Sequence, residues 1–207
     1  IRRLLAETDA AKDGNLGPGY FSFNVAGGRC ETCKGEGYEK VEMKFLSDVF
    51  ILCPDCKGRR FKSEVLDVRY RGRSIHDILT MTVDQGLTFF EDNLKVVSAL
   101  QPLADVGLGY IRLGQPINTM SGGEAQRLKL SRYVGNGSGN LSRKLFIFDE
   151  PTTGLHFDDI ARLLTALQRL VDSGNTVLVM DHNRDVVKSA DVAIHLGPER
   201  VDDCGLV

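Results

Sequence analysis

The apolar positions of this chain change period several times along its length. From Phe157 to Asp172, Ile160, Leu163, Leu164, Leu167, Leu170 and Val171 recur at helical spacing, which predicts one amphipathic helix. Strands are predicted at Thr176–Met180 and Val192–Leu196, with a helix over Arg184–Ser189 between them. Leu145, Phe146, Ile147 and Phe148 form an unbroken apolar run, the pattern of a strand covered on both faces. Strand–helix–strand alternation argues for a parallel sheet, hence an α/β fold. The first half is built of shorter pieces. A helix is predicted over Ile1–Lys12, a glycine-rich turn over Asp13–Gly19, and strands where apolar and polar residues alternate at Phe21–Val25 and Val65–Tyr70. Tyr38–Leu52, rich in β-formers, reads as a hairpin. Ile75–Leu79, Val83–Phe90, Leu94–Val106 and Ser121–Val134 read as helices, and Gly135–Asn140 as a flexible loop.

At 207 residues the chain has room for one large domain, or a domain with a small module. Its 42% hydrophobic content is ordinary for a globular protein, and no segment is long enough to span a membrane. The net charge of −2 excludes a generally basic chain, but the charge is uneven. Between Lys57 and Arg73 stand seven basic residues (Lys57, Arg59, Arg60, Lys62, Arg69, Arg71, Arg73) against Glu64 and Asp67, a local +5. Such runs are usually solvated faces. This one follows a candidate metal site, and there it also fits a phosphate backbone.

That metal site is written in the cysteines. Cys30-Glu-Thr-Cys33 and Cys53-Pro-Asp-Cys56 are two Cys-x-x-Cys pairs separated by nineteen residues, a zinc-site spacing. Each pair presents two thiolates, and two pairs close a tetrahedral four-cysteine site with no open position, so a structural Zn²⁺ is expected. Glycines after each pair, at Gly35, Gly37 and Gly58, permit tight turns around a metal. Disulfides are disfavoured in a reducing cytosol, and a single redox pair needs no twin. Cys204 has no partner and is expected to be a plain thiol.

Two further segments carry chemistry. In Thr119-Met-Ser-Gly-Gly-Glu-Ala-Gln-Arg127, Ser121 can cap a helix and Glu124 stands at capping-box spacing. An ordinary capped helix explains those two residues but not Gly122 and Gly123, which weaken a first turn while letting a ligand approach the backbone. A helix start of this kind is an anion site. The apolar run at Leu145 ends in Asp149-Glu150-Pro151, at the carboxyl end of a strand, where open α/β sheets bind ligands. Asp149 suits Mg²⁺ and Glu150 suits polarising a water. A strand followed by an acidic turn is the plain alternative.

Together these segments resemble a known family. Ser121-Gly-Gly-Glu-Ala-Gln-Arg127 is similar to the signature motif of ABC-type ATPases, and Phe148-Asp-Glu-Pro-Thr-Thr-Gly-Leu-His156 to their Walker B and D-loop. Asp181-His182-Asn183 resembles their switch-histidine loop. The closest wording is that of the UvrA family, the damage-recognition ATPases of bacterial nucleotide excision repair. Phe21-Ser-Phe-Asn-Val25, Val41-Glu-Met-Lys-Phe45 and Asp105-Val-Gly-Leu-Gly-Tyr-Ile-Arg-Leu-Gly114 extend the resemblance over nearly the whole chain. It implies an ABC-ATPase, P-loop-type partial domain with a parallel sheet and helices, plus a small four-cysteine zinc module. Implied boundaries are a lead-in over 1–29, the zinc module over 30–62, a helical signature subdomain over 63–118 and the ATPase core over 119–207.

The resemblance also implies roles. Asp149 would hold Mg²⁺ through water, Glu150 would act on the hydrolytic water, and His182 would contact the γ-phosphate of ATP. Ser121, Gly122, Gly123 and Gln126 would meet nucleotide held by another ATPase half. Lys57, Arg59, Arg60 and Lys62 would face damaged double-stranded DNA. Implied partners are that other half, a second subunit of the same kind in a dimer, and a UvrB-like protein, in the cytoplasm. A core histidine at a strand end is the plain alternative for His182.

Three features set limits on the resemblance. No Gly-x-x-x-x-Gly-Lys-Ser/Thr loop occurs, so a fragment without its own phosphate cradle, inactive alone, is expected. Asp181 stands where the family usually has Glu, and Gly197-Pro-Glu-Arg200 lacks the usual glycine-rich continuation. Either a divergent paralogue, such as one in drug or DNA-damage tolerance, or residues missing from the sequence near Arg200 would account for these departures. Cys-x-x-Cys-x-Gly-x-Gly also resembles the zinc repeats of DnaJ-type chaperones. That likeness covers only Cys30 to Gly58 and leaves the ATPase motifs unexplained.

Overall fold

The computed structural model describes residues 1–41, 49–135 and 143–195. They fall into two compact units, Ile1–Ala104 with Leu108–Ser121, and Asp105–Gly107 with the chain from Gly122 onward.

The first unit is built of short elements around one apolar cluster. In order they are α1 (Arg2–Ala6), α2 (Asp9–Asp13), β1 (Tyr38–Val41), β2 (Val49–Leu52), α3 (Ser63–Asp67), α4 (Ile75–Thr80), α5 (Val83–Phe89), α6 (Leu94–Asp105) and a 3-10 turn at Ile117–Thr119. Leu5, Phe21, Phe61, Val65, Ile75, Ile78, Val83 and Phe90 are almost wholly buried together. Two capping boxes start α4 and α5: Ser74 with Asp77, and Thr82 with Gln85. Each satisfies backbone N–H groups that a short helix cannot pair internally. β1 and β2 pair antiparallel, Tyr38 opposite Leu52 and Val41 opposite Val49, as the hairpin expectation requires.

Three expectations fail here. The helix over Ile1–Lys12 is two helices, broken at Thr8, whose extended backbone (ψ 151°) restarts the chain and whose hydroxyl donates to the Leu5 carbonyl. Phe21–Val25 is a run of turns closed by Ser22 N–H to Gly19 and Val25 N–H to Ser22. Its alternation reflects Phe21 turned into the core, and it pairs with no strand among the described residues. Val65–Tyr70 begins inside α3, where adjacent Val65 and Leu66 are both buried, a pattern a half-exposed strand cannot produce.

The second unit contains α7 (Gly122–Gly135), β3 (Leu145–Asp149), α8 (Phe157–Asp172), β4 (Thr176–Met180) and α9 (Arg184–Ser189). β3 and β4 are parallel, in register from Leu145 opposite Thr176 to Asp149 opposite Met180. α8 buries Ile160, Leu163, Ala166, Leu167 and Leu170 and packs against β4, α7 and α9. α7 meets β3 through Tyr133 and Phe146, edge to face with ring centres 5.0 Å apart.

The expectation that β3 is covered on both faces is corrected. Phe148 is buried, but Leu145 and Ile147 are 61% and 56% exposed, and Leu178 and Met180 beside them are nearly half exposed. An apolar run records that both faces avoid water, and only one is covered by described residues. Residues 192–195 form no strand; Leu196, the Gly197 segment and Cys204 lie outside the described residues, as does most of the Gly135–Asn140 loop. No described helix is long and apolar enough to cross a membrane.

Candidate functional site

The four cysteines converge. All are buried, and their sulfur atoms lie within 4.8 Å of one another. Cys30 and Cys53 Sγ are 3.9 Å apart, Cys33 and Cys56 Sγ 3.6 Å. A tetrahedral zinc with Zn–S of about 2.3 Å spaces its sulfurs by about 3.8 Å, so this donor set fits the ion. Burial pushes the Cys56 thiol up to about 12 and raises Cys33 as well, because charged sulfurs are poorly solvated there. Burial also opposes ionisation of Cys30, but hydrogen bonds to the Cys33 and Thr32 backbone outweigh it and the thiol is lowered. A divalent cation removes the cost of gathering such groups as thiolates.

The two knuckles are built to one plan. After the second cysteine of each, the first, second and fourth residues have left-handed backbone: Lys34 (φ 51°), Gly35 (90°) and Gly37 (85°) in one, Lys57 (50°), Gly58 (82°) and Arg60 (72°) in the other. The fourth residue of each knuckle accepts a hydrogen bond from the first cysteine of its twin. Cys53 N–H donates to Gly37 at 3.1 Å, and Cys30 N–H donates to Arg60 at 2.8 Å. The Thr32 hydroxyl also donates to the Asp55 carboxylate across the pair. The repeated Cys-Lys-Gly at 33–35 and 56–58 was the available signal for this symmetry.

The basic stretch is less free than its net charge implied. Lys62 pairs with Glu31 at 3.3 Å, Arg69 with Asp77 at 3.0 Å and Arg71 with Asp92 at 2.9 Å. Arg60 donates from Nε to the Glu36 carbonyl (3.2 Å) and from Nη1 to the Gly114 carbonyl (2.9 Å), with its guanidinium 4.7 Å from the centre of the Phe23 ring. Lys57 and Arg59 remain exposed beside the second knuckle, Arg59 Nε donating to the Cys56 carbonyl at 3.3 Å.

In the second unit, the paired ends of β3 and β4 gather the other candidates. Asp149 lies opposite Met180, and Glu150 N–H donates to the Met180 carbonyl at 2.8 Å. Asp149-Glu150 and Asp181-His182 therefore leave the sheet side by side at its carboxyl edge, with Asp149, Glu150 and His182 exposed. Glu150 has φ 44°, a conformation costing a non-glycine residue of the order of 1–2 kcal/mol. The first turns of α7 are tied to the same edge. Gln126 Oε1 accepts from Asp149 N–H (3.3 Å), and buried Arg127 donates from Nη1 to the Pro151 carbonyl. A side chain at Gly123 would press on Arg127 Nη1 at 3.2 Å, whereas one at Gly122 would meet nothing within 4 Å. Ser121 is exposed just ahead of the helix.

Against known proteins, no family model matches the chain. The UvrABC system protein A of Methanothermobacter thermautotrophicus is 56% identical over 207 residues, 100% of this chain and 21% of that protein. That of Thermus thermophilus is 55% identical over 205 residues, 99% of the chain and 21% of the relative. The Bacillus subtilis protein is 56% identical over 96% of the chain. The chain belongs to the UvrA family. It spans about a fifth of the length of the curated relatives it matches. The crystal structure of UvrA2 from Deinococcus radiodurans aligns with a TM-score of 0.82 at 49% identity, covering 92% of this chain and 23% of that one.

Within this UvrA-family segment the structure adds three residues that the sequence did not single out for contact. Arg127 was quoted only as the end of a motif. Thr152 and Asp181 form a clamp: the Thr152 hydroxyl (2.7 Å) and N–H (3.2 Å) both donate to Asp181 Oδ2, while Asn183 N–H donates to Oδ1 (2.9 Å). The short Asp at 181, noted only as a departure, is thus the residue that joins the turn after Glu150 to the loop bearing His182. Thr152→Val keeps the shape and removes the hydroxyl. It should lower stability by about 1–2 kcal/mol in urea titrations, as expected for a hydrogen bond to a charged acceptor, while Thr152→Ser stays near wild type. Equal stability of the valine variant would mean that the clamp contributes nothing.

Proposed function

We propose that this chain is part of a cytoplasmic ATPase that recognises damaged double-stranded DNA in nucleotide excision repair. The observation that carries the reading is the shared edge of β3 and β4, where Asp149, Glu150 and His182 emerge beside the first turns of α7. The family match supports it. Glu150 would orient the attacking water from its left-handed turn, with Thr153 Oγ1 3.4 Å from its Oε2. Asp149 would hold Mg²⁺, which neutralises phosphate charge when bound. His182 would reach the γ-phosphate, and Ser121, Gly122, Gly123 and Gln126 would close on nucleotide held by another ATPase half. The open apolar face of Leu145, Ile147, Leu178 and Met180 suits burial against further parts of such an assembly. A dimer and a UvrB-like partner complete the reading.

In the full-length protein, Glu150→Gln should cut ATP turnover about 10²-fold or more, the usual contribution of a positioned base, with nucleotide affinity unchanged. Wild-type turnover would remove Glu150 from the chemistry. These 207 residues alone should not hydrolyse ATP.

Cys30, Cys33, Cys53 and Cys56 would hold one structural Zn²⁺. Protein purified without added zinc should contain about one equivalent per chain, lost in Cys33→Ser/Cys56→Ser. A folded, metal-free module in the wild type would exclude the site.

The module would face DNA. Because Arg60 and Lys62 have partners within the protein, the DNA-facing role is assigned to Lys57 and Arg59 and not to Arg60 or Lys62. Lys57→Ala/Arg59→Ala should weaken binding alike on all sequences and reduce the salt slope by about 0.9 for each phosphate no longer neutralised. An unchanged slope would make this stretch a solvated face.

A further inference from the structure

Of the three left-handed positions that the two knuckles share, only the one held by Arg60 differs in residue type. Its twin position is Gly37, and both have left-handed backbone, φ 72° and 85°. Glycine adopts that conformation freely and arginine does not. The backbone task of the position, accepting the hydrogen bond from the opposite cysteine, needs no side chain, as Gly37 demonstrates. The arginine therefore serves something else.

Its guanidinium leaves the module. One nitrogen stays on Glu36 of the first knuckle, the Phe23 ring lies 4.7 Å away, and Nη1 crosses to the carbonyl of Gly114. A cleft of about 440 Å³ lies there, bordered by Phe23, Glu36, Arg60, Gly114 and Ile117. Beyond Gly114 the chain passes through the 3-10 turn at Ile117–Thr119 to reach Ser121. That segment is braced internally by Gln115 Nε2 to Thr119 Oγ1 (3.1 Å) and Thr119 Oγ1 to the Pro116 carbonyl (2.7 Å). Its start is fixed by Gly114 N–H to Leu79 at 2.8 Å. Moving the Gly114 carbonyl thus moves a braced segment that ends at Ser121.

We propose that Arg60 is a positioning residue that fastens the segment leading to Ser121 onto the cysteine module, so that a change at the module is felt at Ser121. This rests on the ATPase and DNA-binding reading above for its consequence, though not for its geometry. A planar guanidinium suits the role because it spans two carbonyls at fixed angles, which a lysine cannot.

The test uses full-length protein carrying Arg60→Gly, which removes the side chain and relaxes the backbone, so folding is not at risk. Hydrogen exchange at residues 115–119 should rise about tenfold or more in the variant, since local opening loses its tether. Zinc content and nucleotide-free DNA affinity should stay at wild-type values. The effect of DNA on ATP turnover should shrink about fivefold or more, the lower range of ordinary coupling energies. Arg60→Lys should fail to restore either property. Wild-type exchange at 115–119 in Arg60→Gly overturns the proposal. So does a fall in DNA affinity with a shallower salt slope that Arg60→Lys repairs, because Arg60 would then bind phosphate directly. Loss of zinc overturns it too, making Arg60 part of the metal site. If the wild type itself hydrolyses no ATP, the functional reading fails, and the exchange measurement still decides the tether.

Discussion

The register of β3 on β4 sets what the second unit can bring together. With Asp149 opposite Met180, the last ladder bond passes from Glu150 N–H to the Met180 carbonyl, and the chains then part. A slip of one residue would send Asp149 to the other face of the sheet and carry Asp181 away from Thr152. The left-handed turn at Glu150, the Asp181 clamp and the seats of Gln126 and Arg127 all depend on that pairing. Strain at Glu150 is tolerated because hydrogen bonds on both sides of it leave the chain no easy alternative.

In the first unit a different constraint dominates. Four sulfurs within 4.8 Å are held by two short turns that lean on each other through reciprocal backbone hydrogen bonds. Around them there is little apolar packing: Val49, Phe50, Ile51 and Leu52 of the hairpin are all more than 40% exposed. Order in this region comes from backbone geometry and donor chemistry. The helices α3 to α6 take the opposite course and rely on a shared hydrophobic cluster.

Much of this was legible in the sequence where one physical signal acted alone. The stripe from Ile160 to Leu170 fixed α8 to the residue, and the cysteine spacing foretold the cluster. Reading failed where two causes write the same pattern. Alternation at Phe21–Val25 and Val65–Tyr70 imitated strands, but it came from turns that carry Phe21 into the core and from a short helix that buries Val65 and Leu66 together. The run at Leu145–Phe148 gave the strand but not its half-open state, since hydrophobicity does not say whether the cover belongs to the same unit. Charge counting from Lys57 to Arg73 missed the pairings of Lys62, Arg69 and Arg71, whose partners stand between eight and thirty-one positions away in the chain. Long-range partners of that kind leave no local trace.

The two glycines at the start of α7 differ in a way that matters for any screen of variants. A Cβ at Gly123 would stand 3.2 Å from Arg127 Nη1, so a substitution there must shift the buried arginine that holds the Pro151 carbonyl. Gly122 faces open space. Alanine at Gly122 would even favour the helix. Expression level, melting temperature and solubility therefore register no loss for alanine at this position, and a library filtered on them would retain it whatever it does to a ligand or subunit approaching from outside.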